Sequence, residues 1–389
     1  MIIICEPQCS GFEHVPVNSA LITTVKKAFS DEKILFLAEK DHLEQVRENL
    51  SDRGLGHIDF VPVAIANRQG PKISKVVPDF KLCYEVFKLA RRNKVRRLLF
   101  CSTTTSFLYA IKLLQRLYDD LRCIVVPHGI LSSVTQWPQR RILGYPMWFR
   151  NALLWFDTGR LRYLVLGESI RAALVQRFPR LGPLVFSIDH PYFFQPPESE
   201  ILKIDRGLTF GFLGVGVRAK GIDLFFKLAK EVCYGRGNSK TQFTLVGSLV
   251  DRDIDDFASS AIVMPSPDQP LSRAEFCTRA KAIDYALFFL DPAEYELRAS
   301  GTLFDAFAFL KPIIAIENPF FDYYFRKMGD IGYLCKDYEE MKSVVQELVN
   351  KPATDRYCRQ QHNIARWIRE FNNENQARKF AEIATGIWD

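Results

Sequence analysis

Short apolar runs alternate with amphipathic stretches from one end of this chain to the other, and that rhythm admits few architectures. Strands buried on both faces read as unbroken apolar runs, and helices between them force parallel pairing. The spacing predicts strands at Ile2–Cys5, Ile34–Ala38, Ile58–Val63, Leu98–Ser102, Cys123–Pro127, Tyr163–Leu166 and Leu184–Ile188. Helices at Asn18–Phe29, His42–Leu50 and Ser106–Tyr118 fall between them. A polar, proline-rich stretch, Asp189–Glu200, then reads as a linker. The rhythm restarts at Leu208–Leu213 and continues through Phe243–Gly247, Ile262–Pro265, Tyr285–Leu290, Pro312–Ile316 and Gly332–Cys335. Residues 340–389 read as helical. The expected fold is α/β: two doubly wound, Rossmann-like domains facing across a cleft, with ligands beyond the carboxyl ends of the strands. A length of 389 residues suits two such domains.

Bulk properties narrow the setting. The nine cysteines are scattered and form no CxxC or zinc-spaced pattern, so buried thiols in a reducing compartment are expected. MIIICEPQ lacks the basic start of a signal peptide, and no window is long and apolar enough to span a bilayer. A cytoplasmic chain is expected. The formal charge of +7 is unevenly placed. Trp137–Tyr163 combines five arginines with three tryptophans and two tyrosines, which suits an anionic membrane surface better than nucleic acid. The alternative is a segment packed by its aromatics against its own domain.

The densest functional signal is Tyr295–Ala315, YELRASGTLFDAFAFLKPIIA. Ser300, Gly301 and Thr302 would open a helix and leave backbone N–H groups for an anion. Asp305, one turn further, would accept hydrogen bonds from a sugar hydroxyl. A second signal, GFLGVGVRAKG (Gly211–Gly221), follows a strand and places Gly216, Arg218 and Lys220 at a turn. Its third glycine is misplaced for a dinucleotide fingerprint, and the two cations instead suit a diphosphate. Together these signals describe a nucleotide.

Weaker signals accompany it. His128, with Gly129, ends a strand and either hydrogen-bonds a sugar hydroxyl or is satisfied by its own loop. The first loop holds Ser10, Gly11, Glu13 and His14, a phosphate, acceptor or acid–base site. Asp291, Glu294 and Glu296 form an acidic loop, either solvated or at the site. Asp251–Asp256, DRDIDD, reads as the polar start of an exposed helix rather than a metal site.

These residues resemble the retaining nucleotide-sugar glycosyltransferases of the two-domain GT-B fold, close to family four. The likeness rests on VRAKG, FTLVGS (Phe243–Ser248), SRAEFCTRAKAIDYALFFL (Ser272–Leu290) and DAFAFLKPIIA (Asp305–Ala315). It implies Arg218 and Lys220 on the donor diphosphate, Asp305 on the ribose in place of the usual glutamate, His128 near the donor sugar, and Gly11 near donor phosphates or acceptor. It implies residues 1–195 as an acceptor domain, 196–365 as a nucleotide-sugar domain and 366–389 as a helix returning to the first. Where the family has a further glutamate, eight positions before the ribose ligand, this chain has Leu297, with Glu296 and Glu294 nearby as replacements. The implied activity is transfer of a sugar, with retention, from a nucleotide diphosphate to a glycan or lipid-linked acceptor in surface polysaccharide or glycolipid assembly. The donor is a substrate, and no cofactor or metal is expected. An inverting transferase and a non-catalytic sugar-nucleotide-binding subunit are the alternatives.

Overall fold

The computed structural model describes residues 1–67, 72–138, 144–194, 207–233, 240–251, 262–264 and 271–388. The chain divides into two units. Unit one holds Met1–Phe193, Leu297–Ala299 and Phe371–Asp389; unit two holds Phe194–Glu296 and Ser300–Glu370.

Unit one is built on a seven-stranded sheet of β1 (Ile2–Cys5), β2 (Ile34–Ala38), β3 (Ile58–Pro62), β4 (Arg97–Phe100), β5 (Arg122–Val125), β6 (Leu161–Leu166) and β7 (Val185–Ile188). Its order is β3-β2-β1-β4-β5-β6-β7 and every pair is parallel. Ile2, Ile3, Ile4 and Cys5 are all fully buried, because helices cover both faces of this central strand. Each such aliphatic side chain contributes about 1.5–3 kcal/mol on burial. The register places Ile3 against Leu35 on one side and Leu98 on the other. The last helix, Asn373–Trp388, packs on the first, Val15–Ala28. Phe29 meets Trp388 at 5.5 Å and Phe380 at 6.4 Å, and Lys379 reaches Asp189 at 3.1 Å. The C-terminus thus belongs to the first unit.

Unit two repeats the plan with β8 (Thr209–Leu213), β9 (Gln242–Val246), β10 (Ile262–Val263), β11 (Tyr285–Phe288), β12 (Ile313–Ile316) and β13 (Gly332–Cys335). The order β10-β9-β8-β11-β12-β13 is again wholly parallel. In each sheet the strand order reverses beside the first strand, so the crevices that receive ligands in such sheets lie beyond β1 and β4, and beyond β8 and β11. Of the linker, Asp189–Phe194 is described and carries no helix or strand, while residues 195–200 lie outside the described residues. So do residues 252–256 of the DRDIDD run, Arg140, Arg141 and Pro265. All nine cysteines are free thiols, six of them buried. No helix among the described residues is long and apolar enough to cross a membrane.

Candidate functional site

In unit two, β8 runs into a turn whose geometry only glycine tolerates. Gly214 has φ +87°, and a Cβ there would stand 2.8 Å from Cγ2 of Thr302 and 4.0 Å from Nζ of Lys220. The Lys220 ammonium and the start of the helix Gly301–Ala308 therefore both lie within 4.0 Å of one point. Gly247, after β9, presses on the carbonyl of Gly214, where a Cβ would fall 1.8 Å from the oxygen. Arg218 and Lys220 form a single 3-10 turn, fixed by the Arg218 N–H donating to Asp251 at 2.6 Å. The Gly216 N–H donates to the Ser248 carbonyl at 2.8 Å and its carbonyl accepts from the Val250 N–H, so Gly216 extends the pairing of β8 with β9.

The helix Gly301–Ala308 begins without a cap. Ser300, 6% exposed, makes no bond to the helix N–H groups; its Oγ pairs with Oγ1 of Thr302 at 2.9 Å. Ser272, Asp291, Asn318 and Asp337 all accept from the first turn of their own helices. The Gly301 and Thr302 N–H groups have no hydrogen-bond partner among the described residues. Uncapped donors at the positive end of a helix dipole, beside a lysine, suit an anion.

Asp305 lies one turn further along that helix and is only 16% exposed. Its carboxylate faces Nη1 of Arg273 at 3.5 Å. Arg273, which opens the helix Arg273–Ala282 after the Ser272 cap, was not expected at the site, because only the fold places it beside Asp305. Glu294 and Glu296 stand half-buried at the short helix Pro292–Tyr295, whose start is capped by Asp291. Leu297 is 3% exposed and lies in unit one, lining a small cavity with His128, Leu131 and Arg298. No carboxylate stands at that position.

In unit one the first loop is held from below. Glu6, fully buried at the end of β1, accepts from Gln8 N–H (2.9 Å), Cys9 N–H (3.1 Å), the Asn18 amide (3.1 Å) and the Ser102 hydroxyl. The Asn18 nitrogen also lies 2.9 Å from Nε2 of buried His42. With both amide hydrogens so directed, Nε2 accepts and Nδ1 donates to the Gly11 carbonyl at 2.9 Å. The Gly11 N–H points to Glu39 at 3.4 Å. Gly11, at φ +53°, is thereby committed to the loop's own shape.

His128 follows β5, and its ring lies 4.7 Å from that of His14 and 5.9 Å from that of His190. Burial, then the neighbouring His14, His190 and Arg298, holds its pKa well below the ordinary value. Burial likewise draws His190 down to about 4. Both imidazoles are neutral at neutral pH, each with one ring nitrogen that can accept and one that can donate a hydrogen bond to a hydroxyl. Arg298 donates to Ser132 at 3.1 Å and to the Gly129 carbonyl at 3.4 Å, a pairing invisible in the sequence because 166 residues separate Arg298 from Ser132.

The basic aromatic segment divides. Trp148 is 4% exposed and its indole donates to Ser133 at 2.8 Å, so it belongs to the interior. Arg150 stacks on it and on Phe178. Trp137, Tyr145 and Trp155 are about half exposed or more.

No protein-family model and no curated sequence matches the chain. Solved structures do. WaaG, a glycosyltransferase involved in lipopolysaccharide biosynthesis, is similar over 99% of this chain and 100% of its own, with a TM-score of 0.66 and 12% identity. Anabaena Alr3699/HepE, solved in complex with UDP-glucose, is similar over 100% and 96%, with a TM-score of 0.60 and 14% identity. A UDP-N-acetylglucosamine 2-epimerase is similar over 95% and 94%, at 0.55 and 14%. The chain has the GT-B fold that these glycosyltransferases and epimerases share.

Proposed function

We propose that this protein is a glycosyltransferase that moves a sugar from a nucleotide diphosphate to a hydroxyl acceptor. The observation that carries the reading is the uncapped start of Gly301–Ala308 meeting the Lys220 turn around Gly214. In this reading the donor's pyrophosphate lies between the Gly301 and Thr302 N–H groups and the Arg218 and Lys220 side chains. Such contacts strengthen as charge builds on the leaving phosphate. Asp305, oriented by Arg273, takes the ribose. Neutral His128 orients a sugar hydroxyl, and Glu294 or Glu296 replaces the carboxylate missing at Leu297. WaaG, involved in lipopolysaccharide biosynthesis, and HepE, solved with UDP-glucose, support a polysaccharide or glycolipid setting.

We read the transfer as retaining. The bond from the anomeric carbon to the phosphate oxygen breaks, the acceptor oxygen bonds to the same face, and its proton passes to the leaving phosphate. No protein base or nucleophile is needed, and no cofactor. An inverting transferase would need a base, and burial disfavours His128 in that role. The buried Leu297 favours one other reading, a subunit that binds sugar nucleotide without turnover. We place the protein in the cytoplasm, on an anionic membrane face that carries its lipid-linked acceptor, with Trp137 and Tyr145 as the contacting side chains. Isothermal titration with UDP, GDP, ADP and TDP tests the proposal: one of them should bind saturably, and release of free sugar or of glycoside then separates enzyme from subunit.

A further inference from the structure

We infer that unit one carries a second ligand site, a cavity that takes a small organic anion, its charged group on Lys112 and Arg180 and its apolar body against Trp155, Phe156 and Tyr163. The cavity measures about 270 Å³, opens to solvent past Trp155, Asp157 and Arg180, and is lined further in by Leu153, Leu181 and Leu184. Lys112, in the last turn of the helix Thr105–Leu114, is 2% exposed. Its ammonium makes one hydrogen bond among the described residues, to the Leu153 carbonyl at 3.1 Å, and no ion pair. An ammonium carries three donors, and a buried cation with no directly paired carboxylate is costly. Arg180 donates to the next carbonyl, that of Leu154. Capping the helix Phe149–Leu154 accounts for one bond from each cation, and leaves the other donors and the open volume unexplained. The single carboxylate lining the cavity, Asp157, accepts from the Gly159 N–H at 2.9 Å through Oδ1 and acts on Lys112 from beyond ion-pair distance.

Size sets the ligand. A cavity of about 150 Å³ accommodates a benzene ring, so this one has room for a ring and a carboxylate. Topology separates it from the proposed reaction: Asp157 precedes β6 and Leu184 precedes β7, whereas His128 follows the carboxyl end of β5. The inference therefore stands or falls apart from the proposed transfer activity. The groups facing Lys112 are Asp157, Arg180 and Tyr163. Burial draws Lys112 down to about 8, while Asp157 raises it and Arg180 lowers it, and burial pushes the Tyr163 phenol up. The ammonium is thus charged at neutral pH and loses its charge above about 8.

Titration calorimetry of the whole chain tests this, with benzoate as the probe, benzyl alcohol as its neutral match and inorganic phosphate as an anion without a body. Benzoate should bind at one site, with both comparators at least about tenfold weaker. Its affinity should fall about tenfold from pH 7 to pH 9 and by a similar factor in Lys112→Met, which keeps the side chain's apolar stem. Absence of saturable benzoate binding, equal affinity for benzyl alcohol or phosphate, or unchanged affinity in Lys112→Met overturns the inference. Should that variant fail to fold, the three probes on the parent chain decide.

Discussion

Gly214 and Thr302 stand so close that a single methyl group on the glycine would fall 2.8 Å from the threonine's Cγ2. Eighty-odd residues of chain separate them, and their contact brings the cationic turn after β8 against the uncapped helix after β11. Gly214→Ala should therefore harm the site as well as the fold. The positive φ and the clash together cost about 1–3 kcal/mol. Urea unfolding should show that loss, and nucleotide affinity should fall by more than the unfolded fraction explains.

Arg218→Ala and Lys220→Ala should each weaken nucleoside diphosphate binding by about tenfold to a hundredfold, the scale of a charge-assisted hydrogen bond. Neither side chain is buried, so circular dichroism and thermal midpoint should not move. Unchanged affinity in both variants would remove the diphosphate clamp.

Ser300→Ala separates a ligand site from an ordinary helix start. N-cap serine and aspartate contribute about 1 kcal/mol through the bond to the helix N–H groups. Ser300 makes no such bond, so its loss should leave stability within about 0.5 kcal/mol, whereas Asp337→Ala should cost about 1 kcal/mol. Equal losses, read from denaturant midpoints, would show that Ser300 caps after all.

His190 and His128 predict a pH dependence. His190 binds its proton near pH 4 when folded and near 6.5 when unfolded, so the unfolded chain holds more protons between those values. Stability is then fully present above about 6.5 and falls as the pH drops toward 4, by roughly 3 kcal/mol for this residue. His128 adds to the loss in the same direction. Urea midpoints at pH 7.5 and 5 should differ clearly in the parent and less in His190→Gln; an equal difference would place the effect elsewhere.

Flotation on vesicles rich in phosphatidylglycerol should fall severalfold when Trp137 and Tyr145 become serine, since both side chains are exposed. Loss of flotation on replacing buried Trp148 would report unfolding instead. A parent chain that does not float would end the membrane proposal.

Much of the fold was legible because buried parallel strands write themselves as compact apolar runs: IIIC, ILFLA and GYLC begin and end where the structure has β1, β2 and β13. The turn with Arg218 and Lys220 and the helix start at Ser300 were legible for the same reason, since each follows such a run. What escaped depends on side chains meeting across long stretches of sequence. Arg273 beside Asp305, Arg298 beside Ser132 and His42 beneath Gly11 leave no local mark. Nor does a tryptophan disclose which way it turns: Trp148 went inward and Trp137 outward within one segment. Amide availability was equally hidden, because the partners of the Gly11 and Gly216 N–H groups, Glu39 and Ser248, are set by tertiary pairing.

The most direct measurement follows the amides of Gly301 and Thr302 by nitrogen–proton NMR during titration with the nucleoside diphosphate that binds. These two signals should move downfield furthest and saturate at the calorimetric affinity, and Lys220→Ala should abolish the shift. Saturable binding that leaves both amides in place while signals elsewhere move would contradict it.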